Sequence, residues 1–263
     1  MRPPTDRRER ILAFGGPGVG KTRAWLSIAD QYRITKTDAK FYVIDTDDTY
    51  WANVEEFPEL PDSGLIEQRF VFEWDDYVAT AKEFAAKAKP NDWMVVDLFD
   101  KGWEEAQNAY SKKVYGEDKS DYYLLRRQEV AKQKKDPKNF QAFDGWTDWN
   151  VIKPMHAGWS NDVLYRHHAH VYLATTMKPV DRKMDKKDVL ESTGHLGAKP
   201  GGEKSIGVHG VHTILMFTNK GKGEWVMDTG KDRGTREDMI NAPVKNFAMD
   251  YLLHPNRGRW LLK

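Results

Sequence analysis

Gly15-Gly16-Pro17-Gly18-Val19-Gly20-Lys21-Thr22 satisfies every fixed position of the pattern G-x-x-x-x-G-K-[ST], and the rest of the chain is read outward from it. The short apolar run Ile11-Leu12-Ala13-Phe14 stands in front, and Thr22 to Tyr32 continues behind it as a helix. Strand, glycine-rich loop and helix in that order make a phosphate-binding loop. Glycines reach positive φ and carry no Cβ, so successive backbone N–H groups curl around a polyphosphate at the positive end of the helix. On this basis Gly15, Gly16, Pro17, Gly18, Val19 and Gly20 hold the phosphates, and Lys21 reaches toward the β- and γ-phosphates. Thr22 offers its hydroxyl to Mg²⁺, with Arg23 adjoining the nucleotide. The bland alternative is a glycine-rich turn whose Lys and Thr are incidental; the flanking strand and helix weigh against it.

With 263 residues the chain can bury a sizeable core, and the expectation is a single α/β domain over 1–263 with insertions. It has no cysteine, which excludes disulfides and thiolate metal sites. The charged start Met1-Arg2-Pro3-Pro4 lacks the apolar stretch of a signal peptide, and no run of 18 apolar residues occurs. A cytoplasmic protein without a membrane partner is expected. The formal charge of +1 conceals segregation: 17 Asp+Glu against 6 Lys+Arg from Lys40 to Tyr110, then 9 Lys+Arg against 5 Asp+Glu from Ser111 to Lys138. Any basic surface must therefore be local.

Phe41-Tyr42-Val43-Ile44 reads as a second strand delivering Asp45-Thr46-Asp47-Asp48 to its carboxyl end, where open parallel sheets bind ligands. Arg69 to Phe72 suggests a further short strand, and Asp75 to Lys89 a helix. Trp93-Met94-Val95-Val96-Asp97 has the form of a buried strand with one acid at its tip, the position from which an aspartate holds Mg²⁺ in phosphate-loop proteins. The region 102–166 reads as a helical insertion, with helices over Glu104–Val114, Tyr122–Lys134 and Trp146–Arg166, the last interrupted near Pro154. Val171 to Thr176 is the next strand. Residues 177–207 show little periodicity and read as a long mobile loop. Val211–Phe217 and Glu224–Met227 are strands joined by a turn at Asn219 to Gly223.

Four features in order resemble the RecA-like ATPases, including RadA-type recombinases and small phage-encoded members that act in recombination and single-strand annealing. They are the loop Gly15 to Thr22, the strand ending Asp45-Thr46-Asp47, the strand ending at Asp97, and Lys231-Asp232-Arg233-Gly234. The resemblance implies a RecA-like core with a mostly parallel central sheet flanked by helices, acting on ATP with Mg²⁺, in the host cytoplasm if phage-encoded. It implies that Asp47 orients the attacking water, although the family usually has Glu there. Asp97 is followed by Leu98, so the Asp-Glu pair of many other ATPases is missing; Asp100 stays open as an alternative base. Lys231 and Arg233 would stabilise charge at a neighbouring subunit's γ-phosphate, which implies a homo-oligomeric ring or filament. Where family members carry a polar sensor after a strand, this chain has Thr175, Thr176 and Lys178. The segment Lys178 to Ile206 would contact single-stranded DNA, with Gly201, Gly202, Lys199 and Lys204 approaching its phosphates.

Several features have plainer readings. His167, His168 and His170 are expected at a solvated helix end rather than around a metal. His209 and His212 face either a ligand or ordinary surroundings. The basic helix from Tyr122 to Lys134 is either a solvated face or a nucleic-acid contact, and most of the ten tryptophans are core, with Trp146, Trp149 and Trp159 as alternative base-stacking residues. Two rival functions stay open. One is a small-molecule or nucleotide kinase with a lid in the 102–166 region, and the other is a nucleotide-gated assembly protein with little turnover.

Overall fold

The apolar runs become the interior of one sheet. The computed structural model describes residues 8–133, 143–144, 146–203, 209–232 and 239–253. Strands β1 (Arg10–Gly15), β2 (Phe41–Asp45), β3 (Ile66–Phe70), β4 (Trp93–Asp97) and β5 (His170–Thr175) are all parallel, and all but β3 are buried along almost their whole length. Near-continuous apolar strands of this kind must be covered on both faces. A short antiparallel pair, β6 (Met177–Pro179) and β7 (Ala198–Pro200), stands apart. Then β8 (Thr213–Asn219) joins β1 in parallel, and β9 (Trp225–Asp232) and β10 (Ala242–Pro243) add antiparallel pairings. The main sheet has eight strands in the order β10-β9-β8-β1-β5-β4-β2-β3. The fold is therefore α/β with a mostly parallel sheet flanked by helices.

Alternating side chains send β1 to two cores. Ile11 and Ala13 meet α1 (Lys21–Ile34) through Trp25, Ile28 and Tyr32, together with Phe247 and Tyr251 near the carboxyl end. A short helix, α2 (Tyr50–Val54), flanks α1. Leu12 and Phe14 face α3 (Trp74–Lys87), α4 (Phe99–Tyr115) and α6 (Trp149–Leu164), with Tyr77, Phe84, Phe99 and Trp159 filling that side. Two further helices, α5 (Lys119–Lys132) and α7 (Lys187–Thr193), complete the described set. Among the described residues no helix is long and apolar enough to cross a membrane.

Several expectations need correction. Within the region 102–166, α4 and α6 form one wall of the main core. Only α5 stands off, tied to α4 through Tyr110, Tyr122 and Phe143. Helix α6 runs unbroken through Pro154. The proline leaves the Asn150 carbonyl without its helical donor, but Asn150 is exposed and Ile152, His156 and Trp159 anchor the buried side. The expected loop 177–207 instead carries β6, α7 and β7 in its described part, while 204–208 lie outside the described residues. β3 starts at Ile66, before the stretch expected. His167 and His170 are buried, and only His168 is exposed, so the solvated helix end is overturned.

Packing on the α4–α6 side is tight enough to test. A Cβ on Gly102 would lie 2.5 Å from Cη2 and Cζ3 of the fully buried Trp159. Gly102→Ala is expected to cost about 1–3 kcal/mol through overpacking, lowering the melting temperature by about 2–4 °C per kcal/mol. An unchanged thermal melt would show that the ring shifts freely.

Candidate nucleotide site

The loop between β1 and α1 leaves the sheet where Gly15 pairs with Phe217 of β8 and Phe14 with Thr175 of β5. The approach at Gly15 admits no side chain, since a Cβ there would lie 2.5 Å from the Phe217 carbonyl oxygen. Gly18 and Gly20 have φ of 68° and 91°, the left-handed region that glycine enters without steric cost. Val19 is buried and pins the loop. Lys21, the first residue of α1, folds its ammonium back onto the Gly15 and Gly16 carbonyls at 3.1 and 2.8 Å. Burial lowers its pKa, while the charges of Asp97, Asp100 and Asp47 each raise it, so three carboxylates lie within its electrostatic reach.

Those carboxylates differ in setting. β2 and β4 end in register at Asp45 and Asp97. Asp45 is buried and structural, accepting from the Asp47 and Tyr50 backbone N–H groups, both at 3.3 Å, and from Gln68 Nε2 at 3.2 Å. These bonds shape the turn that exposes Asp47, whose Oδ1 accepts from the Thr49 hydroxyl at 2.9 Å. Asp97 is buried. Its Oδ2 accepts from Trp25 Nε1 at 3.1 Å, while Oδ1 has no hydrogen-bond partner. Burial pushes its pKa up to about 6, partly countered by the neighbouring Thr22 hydroxyl and Trp25. The bond from Asp97 to Leu98 is cis. Thr46 bridges it, its hydroxyl donating to the Leu98 carbonyl at 3.0 Å and accepting from the Leu98 N–H at 2.6 Å.

An orphaned buried carboxylate oxygen beside the Thr22 hydroxyl suits a hard divalent cation that takes its remaining ligands from phosphate and water. Among the described residues no group of three His, Cys, Asp or Glu is placed to hold a metal ion, so the histidine cluster offers no alternative. A cleft of about 170 Å³ opens beside the loop, lined by Arg23, Asn53, Phe57, Trp225 and Asn246 among others. Arg23 is held there by Glu56 at 2.6 Å, by the Lys245 carbonyl at 3.1 Å and over the Trp225 ring at 5.8 Å.

Other candidates lie elsewhere. Lys231 is near the amino end of the parallel strands, opposite Ile214, and donates to the Val211 carbonyl at 3.1 Å. It stands at the other end of the sheet from Lys21. Arg233 lies outside the described residues. Asp100 is buried and accepts from both the hydroxyl and the N–H of Thr176, which fits it to tie β5 to α4 rather than to serve as a base. Lys199 is buried against Asp185, and Gly201 and Gly202 pack on Asp100; Lys204 lies outside the described residues. Tyr122 is stacked on Tyr115, and Tyr123, half-buried, packs edge-on to Phe143. His209 pairs with Asp188 at 2.9 Å, and His212 faces Arg10 at 2.7 Å. Sequence reasoning missed Trp25, Thr46, Trp225 and the 244–247 segment. Trp25, one helical turn beyond Lys21, carried the one available signal.

No family model matches the chain, and no curated protein is similar to it in sequence. Among solved structures it is similar to the crystal structure of the RadB recombinase, with a TM-score of 0.49 and 11% identity over 88% of this chain and 84% of that one. It is also similar to a KaiC-like protein from the hyperthermophilic archaeon Pyrococcus horikoshii, with a TM-score of 0.46 and 14% identity over 89% of this chain and 84% of that one.

Proposed function

We propose that this chain binds ATP with Mg²⁺ at the Gly15–Thr22 loop, hydrolyses it, and uses the cycle to regulate binding to single-stranded DNA in recombination or annealing. The observation that carries this reading is the convergence of two acids on the Gly15–Thr22 loop at the carboxyl edge of the parallel sheet, Asp97 bonded to Trp25 of α1 at 3.1 Å and Asp47 bonded to Thr49, whose hydroxyl lies 3.5 Å from that of Thr22. Loop N–H groups and the α1 amino end hold the phosphates, and Lys21 exchanges the Gly15 and Gly16 carbonyls for phosphate oxygen. Thr22 and the free Asp97 oxygen would hold Mg²⁺, which when bound neutralises phosphate charge. The cleft at Phe57 and Trp225 suits the nucleoside end. Asp47, exposed and steered by Thr49, orients water and takes its proton. Being one methylene shorter than Glu, it is expected to give slow turnover.

Lys231 can meet a γ-phosphate only on a neighbouring copy, given its place at the far end of the sheet. A ring or filament therefore belongs to the same proposal. Against the kinase alternative, α4 and α6 of the 102–166 region pack on the sheet.

The test is ATP hydrolysis with and without oligo-dT, for the wild type and Asp47→Asn. Stimulation by the oligomer is expected, with turnover in the variant reduced by about 10²- to 10⁴-fold and nucleotide binding nearly intact. Lost binding would assign Asp47 a structural or metal role, and absent stimulation would break the link to single strands.

A further inference from the structure

A second cleft, of about 450 Å³, opens between α4, α6 and the segment joining β6 to α7. Its aromatic wall is Trp103 and Trp149, both half-buried, with ring centroids 5.7 Å apart and planes 18° from parallel. Each ring is backed edge-on, Trp103 by His156 at 5.1 Å and Trp149 by Phe143 at 5.4 Å, so the pair is held as a fixed platform. His156 serves there as a neutral packing group, buried with neither ring nitrogen hydrogen-bonded.

Lys153, Lys178 and Lys186 line the same cleft, are exposed, and make no ion pair among the described residues. Of the two acids in the lining, Asp188 is taken by His209 at 2.9 Å; the other is Glu203. A half-buried pair of stacked indoles bordered by exposed lysines without ion pairs among the described residues matches an unpaired base next to backbone phosphate. A duplex keeps its base faces stacked inside, and an apolar ligand would leave the ammonium groups unused.

The platform is joined to the nucleotide site. Gly202 of the cleft packs on Asp100, where a Cβ would lie 3.2 Å from its Cα. Asp100 in turn holds Thr176 at the tip of β5 and lies three residues after Asp97. Trp103 is one turn further along α4.

We infer that this cleft binds a segment of single-stranded nucleic acid, a base extending the Trp103–Trp149 stack and backbone phosphates on Lys153, Lys178 and Lys186. This deepens the single-strand reading above and rests on it for the class of polymer. The experiment titrates fluorescein-labelled oligo-dT without nucleotide at several salt concentrations, with thymidine monophosphate as competitor. Trp149→Ala should bind about tenfold more weakly and Trp149→Phe nearly as well as wild type. Lys153→Ala/Lys178→Ala/Lys186→Ala, all at exposed positions, should make the slope of log K against log salt shallower by about 2. If the wild type binds the oligomer and both Trp149→Ala and the triple variant match it in affinity and slope, the cleft assignment is overturned while the single-strand reading stands. If the wild type binds no oligomer at low salt, both fall. Competition by the monophosphate at oligomer-like concentrations would overturn the polymer in favour of a free nucleotide.

Discussion

Lys21→Ala is expected to slow ATP hydrolysis by about 10²- to 10³-fold, the usual loss when one preorganised electrostatic group is removed from a transition state. The ammonium is buried between the Gly15 and Gly16 carbonyls with Asp97, Asp100 and Asp47 in electrostatic reach, and alanine leaves those acids facing the phosphates uncompensated. Nucleotide binding should weaken as well. The fold should survive, since β1 and α1 are held by Ile11, Ala13, Trp25 and Ile28. Steady-state hydrolysis beside a thermal melt checks both points, and undiminished turnover in a folded variant would refute the phosphate-loop assignment.

Acid is expected to destabilise the protein between pH 7 and pH 5 through three histidines. Burial lowers His156 to about 4, His167 to about 4 and His170 to about 3. The geometry agrees. His170 Nδ1 accepts from the Glu9 N–H at 3.0 Å, and His167 Nε2 meets the Val163 carbonyl at 2.6 Å while its Nδ1 faces the Arg8 guanidinium at 3.3 Å. Protonating Nδ1 of either ring sets it against a donor. Arg8 lowers both pKa values further, His168 adds to this at His167, and Glu203 works the other way at His156.

The unfolded chain takes up these protons near pH 6.5, whereas the folded chain resists until about pH 4. Stability from the neutral rings is therefore complete above pH 6.5 and lost as pH falls. Passing from pH 7 to pH 5 costs about 2 kcal/mol per histidine, offset by about 1 kcal/mol from Asp97, whose raised pKa favours the folded state in acid. A net loss of about 5 kcal/mol is large against a typical total of about 5–15 kcal/mol. In urea the midpoint should drop by about 1–2 M with the slope unchanged; equal midpoints at pH 7 and pH 5 would show that the rings titrate normally.

The candidate nucleotide site was legible because its parts are local. Eight consecutive residues specify a glycine-rich loop between a strand and a helix, and Phe41 to Asp47 and Trp93 to Asp97 each present acids at the end of an apolar run. The proposed single-strand contacts were legible only in their general region. Lys199, Gly201 and Gly202 matched by composition, yet Lys199 is spent on Asp185 and the glycines exist to let Asp100 approach. Nothing local distinguishes a lysine bound for a buried pair from one that stays exposed, as Lys178 and Lys186 do.

By itself the sequence determined the α/β class, the order of most strands along the chain and the glycine-rich loop between β1 and α1, because apolar periodicity and glycine conformations act over a few neighbouring residues. Tertiary structure alone decided that α4 and α6 belong to the core, that His156, His167 and His170 are buried neutral, and that Trp103 meets Trp149. Each of these depends on which distant elements cover which face of the sheet. Burial and pairing are set by that three-dimensional choice, and no short window of the chain encodes it.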